Sequence, residues 1–258
     1  MSNVETVLQE AVSALTQYYT KKRENKLDGA SSMPIVRLKF TPMKCVPENH
    51  FETHFLPMPN VLYDKVNLCL ITKTPCDKWQ NIGEALKDLP ISFVKVIDLS
   101  ILKSTYKDLT NRDLLISSFD LFIADRAIIS SIPSILGGKL LKAGKIPFGM
   151  KFVNIEKIKQ EIKKILYTSK VILNRSISFK VRIGLINQPI DDLVENGLVT
   201  IKSMKEILAA HDTEIFQVAI QYSGESPLII MQKPKIVLPE EQNLVEVSIE
   251  ENKIITAE

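Results

Sequence analysis

From Lys65 to Phe152 short apolar runs alternate with amphipathic stretches, and this rhythm limits the possible folds more than any other feature of the chain. VNLCLIT, SFVKVIDL and LFIAD are near-continuous apolar segments, and IPFGMKF is a shorter extended piece. Between them lie an amphipathic segment from Asp77 to Leu89, a helical stretch from Leu102 to Phe119 and RAIISSIPSILGGKLLKAG. Strands that are apolar on both faces are covered on both faces, and helices interleaved with them supply the cover. The pattern predicts a βαβ unit with a small parallel or mixed sheet.

The flanking segments read differently. Val4 to Lys22 places Val4, Val7, Leu8, Ala11, Val12, Leu15 and Tyr19 at helical spacing. MPIVRLKF alternates Ile35, Arg37 and Lys39 with Val36, Leu38 and Phe40, a half-buried strand with one cationic face. Pro42, Pro47, Pro57 and Pro59 surround a short strand at His54–Leu56. Beyond the βαβ unit, NIEKIKQEIKKILYTS is a lysine-rich helix with Ile155, Ile158, Ile162, Ile165 and Leu166 on its apolar face. KVILNRSISFKVRIGLI reads as two strands, and IDDLVENGLVTIKSMKEILAAH as a helix kinked or frayed at Gly197. EIFQVAIQYS and LIIM form a strand pair across SGESP.

One helix and one or two strands cannot close a core alone, whereas joining them to the later strands and helix can. The chain is therefore expected to be α/β with two domains. Residues 1–63 plus 153–235 form a discontinuous α+β domain built by both termini, and residues 64–152 an inserted Rossmann-like three-layer α/β domain. Residues 236–258 are expected to be an acidic mobile tail, with six acids against one lysine from Glu240 onward.

Composition narrows the function. With 258 residues, 45% hydrophobic and 24% charged, the chain is of ordinary globular type, and its 9 glycines leave little material for phosphate loops. No GxGxxG, GxxxxGK[ST], HExxH, GxSxG or paired CxxC occurs. Cys45, Cys69 and Cys76 match no zinc or redox spacing, which points to a reducing, intracellular setting. No apolar run reaches membrane-spanning length. His50 and His54 read as loop residues with no third ligand nearby, and His211 as a helix-end residue. Asp125 reads as the cap of the following helix, with Arg126 paired nearby. No catalytic residue, metal or cofactor is expected; an enzyme using Asp125 is the remote alternative.

Charge carries a stronger signal. Nine lysines between Lys139 and Lys170 face Glu156 and Glu161, a local excess of +7 in a chain whose total is +3. Clustered lysine supplies sequence-independent phosphate contacts. Aromatic residues are 7% and not interleaved with the basic run, so recognition would rest on shape and backbone.

SSFDLFIADRAIISSIPSILGGKLLKAGKIP resembles the central signature of the ribosomal protein L1 family: a strand ending in Asp, a helix, then Leu-Gly with basic residues and Lys-x-Pro. SFKVRIGLINQPIDDLVEN resembles the same family's strand ending in a basic-x-x-Gly segment, followed by a helix with Glu-Asn. The likeness extends weakly over most of residues 1–230 and implies the inserted-domain architecture. It also implies RNA contacts from a Glu-Thr-Val strand start and a Thr-Met-Gly loop. Pro34-Ile35-Val36 and Ser223-Gly224-Glu225 stand in those places here, a divergence similar to the eukaryotic paralogues that act in ribosome assembly. These are the Utp-thirty type of the small-subunit processome and the ribosomal L1 domain nucleolar factors.

The resemblance therefore implies a non-enzymatic ribosome-biogenesis factor of the nucleus and nucleolus. It would be a monomer outside the particle, with ribosomal or pre-ribosomal RNA and pre-ribosome assembly proteins as partners and no membrane. The RNA-binding residues it implies are Lys39, Lys180, Arg182, Ser223 and Gly224. The lysine count adds Lys142 and Lys145, expected to share one cleft with Lys163 and Lys164. The alternative is a protein-docking module of pre-ribosomes that has lost RNA binding.

Overall fold

The computed structural model describes residues 2–24, 34–45, 52–73, 75–79, 81–173, 176–222 and 225–234. The chain opens with α1 (Ser2–Glu24), β1 (Ile35–Pro42) and β2 (Glu52–Pro57). It continues through β3 (Val66–Thr72), α2 (Ile82–Ala85), β4 (Ile91–Asp98), α3 (Leu99–Thr105), α4 (Leu109–Ser118) and β5 (Leu121–Asp125). Next come α5 (Ile132–Leu136), α6 (Gly138–Lys142), β6 (Phe148–Met150), α7 (Ile155–Leu166) and β7 (Thr168–Leu173). It closes with β8 (Phe179–Leu185), α8 (Ile190–Ala209), β9 (Ile215–Tyr222) and β10 (Leu228–Gln232).

Both predicted kinds of sheet are present. The apolar runs from 66 to 150 form a parallel sheet of order β4-β3-β5-β6. Leu68, Cys69, Leu70 and Ile71 of β3 are all fully buried, as expected of a strand covered on both faces. The second sheet is antiparallel, of order β10-β9-β1-β8, so the strand from the N-terminal segment is clasped between two from the far end of the sequence. A third pairing joins β2 to β7. No helix among the described residues is long and apolar enough to cross a membrane.

Alternation in β1 sets the layers. Val36, Leu38 and Phe40 are fully buried in the cluster that holds Leu8 and Val12 of α1 and Met204 and Leu208 of α8. This apolar cluster runs on into the parallel sheet through Leu62, Val66, Leu68 and Ile123, while a second cluster lies around Phe122, Ile132 and Leu140. In α7, Ile158, Ile162 and Leu166 are buried and Ile155 at the helix start is exposed. Asn154 caps that helix, accepting from the backbone N–H of Lys157 at 3.0 Å.

Four local expectations need correction. Gly197 does not break α8, which is continuous. A Cβ at Gly197 would lie 2.8 Å from Cδ2 of Leu8, so the glycine is where α1 presses closest on α8. The stretch from Leu102 to Phe119 is two helices, because Asp98 caps α3 through the Ile101 N–H at 2.7 Å and Arg112 turns back to the Lys107 carbonyl at 3.0 Å. The segment from Asp77 to Leu89 is not one amphipathic helix but a 3₁₀ turn at Asp77–Trp79 and the four residues of α2. Asp125 accepts from the Ala127 N–H at 3.0 Å, closing a turn rather than capping a helix.

Asn196 fastens α8 to its surroundings. Fully buried, its Oδ1 accepts from the Asn60 N–H at 3.0 Å, and its Nδ2 donates to the carbonyls of Ile183 at 2.9 Å and Asn60 at 3.3 Å. Neighbouring Glu195 accepts from the Asn60 side chain at 2.7 Å.

Candidate nucleic-acid interface

Residues opposite one another in antiparallel strands point to the same face. Leu38 and Val181 are register partners on the core face, so the partners Arg37 and Arg182, and Lys39 and Lys180, project together from the other face. Two successive cross-strand pairs of like charge stand there. Like charges directly opposite destabilise a sheet, so stability alone does not account for the pattern. Lys180 is exposed and Lys39 half-buried, and neither ammonium meets a carboxylate among the described residues.

The two pairs have different surroundings. Arg182, expected on an exposed strand face, is half-buried with its guanidinium 3.8 Å from the centre of the Tyr63 ring. Burial holds its pKa below the ordinary arginine range, and Arg37 is held down by burial and then by Arg182. The arginine pair looks into a cavity closed by the parallel-sheet side, with Leu121, Phe122 and Phe148 among its walls. The lysine pair lies further along the strands and is open.

Val36, in the strand start singled out by the family resemblance, is the register partner of Tyr222. Ser223 and Gly224 lie outside the described residues. Glu225 forms an ion pair with Lys22 of α1, so its charge is compensated.

The lysine-rich stretch is less available than its count suggests. Lys139 pairs with Asp113, and Lys159 with Asp88 at 2.6 Å. Lys145 turns inward, donating to the carbonyls of Ile116 and Phe119, both at 2.7 Å. Lys170 donates to the Pro147 carbonyl at 2.8 Å and lies over the rings of Phe55 and Phe148. The side chain of Lys142 is outside the described residues. The cleft expected to join Lys145 with Lys163 is not formed: Lys145 lines the arginine cavity. Lys163 lines a separate open cleft of about 780 Å³ beside Asp64 and Asp192, whose carboxylates oppose polyanion binding.

Burial pushes the Lys170 ammonium down to about 8 from the ordinary 10.5. Below about pH 8 the native state carries the full cost of burying this charge. Between about 8 and 10.5 the unfolded chain binds more protons than the native one, so stability rises with pH through that window. In phosphate-free buffer the parent should therefore gain stability relative to Lys170→Met as pH climbs from about 8 to 10.5. Unfolding midpoints check this, and a parent-minus-variant difference that stays flat contradicts it.

A cluster that sequence spacing missed lies on the β2 side. Ligand atoms of Glu52, His54 and His211 all fall within 4.8 Å of one another and could hold a metal ion. The Glu52 carboxylate is 3.3 Å from Nε2 of His54 and 3.8 Å from Nε2 of His211, so it also serves either imidazolium as an ion-pair partner. His211 follows α8, far from His54 in sequence, so the third ligand was invisible to spacing. Cys69 offers no thiolate chemistry, its thiol pushed up to about 12 by burial.

Comparison with known families matches residues 15–224 to the Ribosomal protein L1p/L10e family. The chain is 25% identical to Large ribosomal subunit protein uL1 of Spodoptera frugiperda over 209 residues, covering 79% of this chain and 87% of that protein. It is 23% identical over 270 residues to the Schizosaccharomyces pombe protein named "Putative ribosome biogenesis protein C8F11.04", covering 97% of this chain and 69% of that one. Ribosomal L1 domain-containing protein 1 of Mus musculus is 23% identical over 210 residues, of which this chain covers 78% of itself but 45% of the mouse protein. With that match spanning most of the chain, and with a mixed α/β fold carrying both parallel and antiparallel sheets, this protein belongs to the ribosomal protein L1 family.

Proposed function

We propose that this protein is a non-enzymatic ribosome-biogenesis factor that associates with pre-ribosomal RNA inside a nucleolar pre-ribosomal particle, that of the small subunit. The observation that carries the reading is the like-charged Lys39–Lys180 pair on the open part of the antiparallel sheet, with no carboxylate to neutralise it among the described residues. Sequence-independent phosphate contacts require such cations. Relatives named for ribosome biogenesis support the same assignment. In this reading residues 1–63 with 153–235 make the RNA-binding domain, 64–152 the inserted one and 236–258 the acidic tail. Lys39 and Lys180 bind phosphates, joined by Ser223 and Gly224 after Tyr222.

A second reading, a docking module for assembly proteins, is favoured by edge strand β10, which exposes Leu228 and Ile229. Crosslinking the tagged protein to RNA in cells separates the two. RNA binding predicts crosslinks to pre-ribosomal RNA that Lys39→Gln/Lys180→Gln greatly reduces. Particle association with no such crosslinks in the parent supports docking instead.

A further inference from the structure

The cavity behind the arginine pair gathers Arg37, Lys145, Lys170 and Arg182 around about 50 Å³ of space, with Asp120 as the one carboxylate among them. Four cations less one anion leave +3 in a confined place. Buried charges are normally paired, and Asp120 is the single carboxylate lining this cavity. Asp120 is already engaged with the Asn67 N–H at 3.1 Å. The carbonyls that receive Lys145 and Lys170 solvate those ammonium groups without cancelling their charge. Burial holds the Lys145 ammonium below its ordinary value, with Asp120 pulling it up and Arg182 pushing it down.

Two buried polar atoms among these walls have no hydrogen-bond partner: Nε of Arg182 and Oγ of Ser169. Ser169 is 3% exposed, so its hydroxyl depends on what the cavity offers it. A guanidinium N–H donates only, and a hydroxyl can donate, so both suit an acceptor that also carries negative charge. The backbone is shaped to match. Gly144 has φ of +70°, and a Cβ there would lie 3.3 Å from the guanidinium of Arg37, which can therefore lie flat against the turn.

We propose that this cavity is an oxyanion site that takes a single phosphate group, held by Arg182, Arg37 and the Ser169 hydroxyl. Its small volume admits one tetrahedral oxyanion and excludes a nucleoside. Arg37 and Arg182 belong to the antiparallel sheet, whereas Asp120, Gly144 and Lys145 belong to the parallel-sheet segment, so the anion would tie the two together. The site is independent of the Lys39–Lys180 surface.

The test is the unfolding midpoint of the full chain at fixed pH and ionic strength as chloride is replaced by inorganic phosphate. A specific site gives a saturating rise, whereas general exclusion of kosmotropic anions gives an unsaturating rise shared by every variant. The expected result is saturation for the parent and for Lys39→Gln, with apparent phosphate affinity lowered about tenfold or more in Arg182→Met and in Ser169→Ala. Should Arg182→Met fail to fold, Ser169→Ala, which removes one atom, decides alone. A short oligoribonucleotide carrying a 5′-phosphate, compared with its 5′-hydroxyl form, identifies the source. Stabilisation by the phosphorylated form points to a nucleic-acid terminus, and stabilisation by inorganic phosphate alone points to the free ion. The proposal is overturned if the parent shows no saturating rise, or if Ser169→Ala keeps the parent's affinity.

Discussion

Asn196→Leu should lower the unfolding free energy by about 3 kcal/mol or more, because it strands the backbone groups of Asn60 and Ile183 that Asn196 serves. Leucine is close to asparagine in size, so little of the loss comes from a cavity. Each buried group left without a partner costs about 1–3 kcal/mol. For a chain of this length that corresponds to a midpoint lower by about 10 °C. Glu195→Gln beside it should change stability by no more than about 0.5 kcal/mol, since its contact to Asn60 is exposed. Thermal and urea unfolding of the two variants measure the contrast. A midpoint for Asn196→Leu within about 1 °C of the parent would show that the loop at Asn60 finds other partners.

The same residue illustrates what the sequence conveys. Glu195-Asn196 stands out in the chain as part of a family pattern, but nothing in its spacing says that the amide bridges a loop and a strand. Elements whose burial follows from their own periodicity were legible: the both-faces-apolar β3, the alternating β1 and the Ile158, Ile162, Leu166 stripe of α7. So was the pairing of β9 with β10.

Features set by what covers a residue from elsewhere were not legible. Alternation places Arg182 on the face away from the helices, yet its burial depends on Tyr63 and the cavity walls. Counting lysines from 139 to 170 sums charges without showing that Lys145 and Lys170 turn inward or that Lys139 and Lys159 meet acids. Gly197 looks like a helix breaker until Leu8 of α1 arrives against it. The Glu52, His54 and His211 cluster likewise exists only once α8 ends beside β2.

The central claim, that the sheet face carrying Lys39 and Lys180 contacts RNA phosphates, is tested most directly by salt. Affinity of the purified full chain for a structured ribosomal RNA fragment is measured across a range of monovalent salt, for the parent and for Lys39→Gln/Lys180→Gln. Each phosphate neutralised on a duplex-like target contributes about −0.9 to the log–log slope. If each lysine neutralises one phosphate, the double variant's slope is shallower by about 1.8. Its affinity at moderate salt should fall about tenfold or more, to a similar extent on unrelated RNA sequences. Both substitutions lie on a half-exposed face where they relieve a like-charge contact, so the fold should stay intact. A double variant that binds with the parent's affinity and the parent's slope would contradict the assignment of this face to RNA.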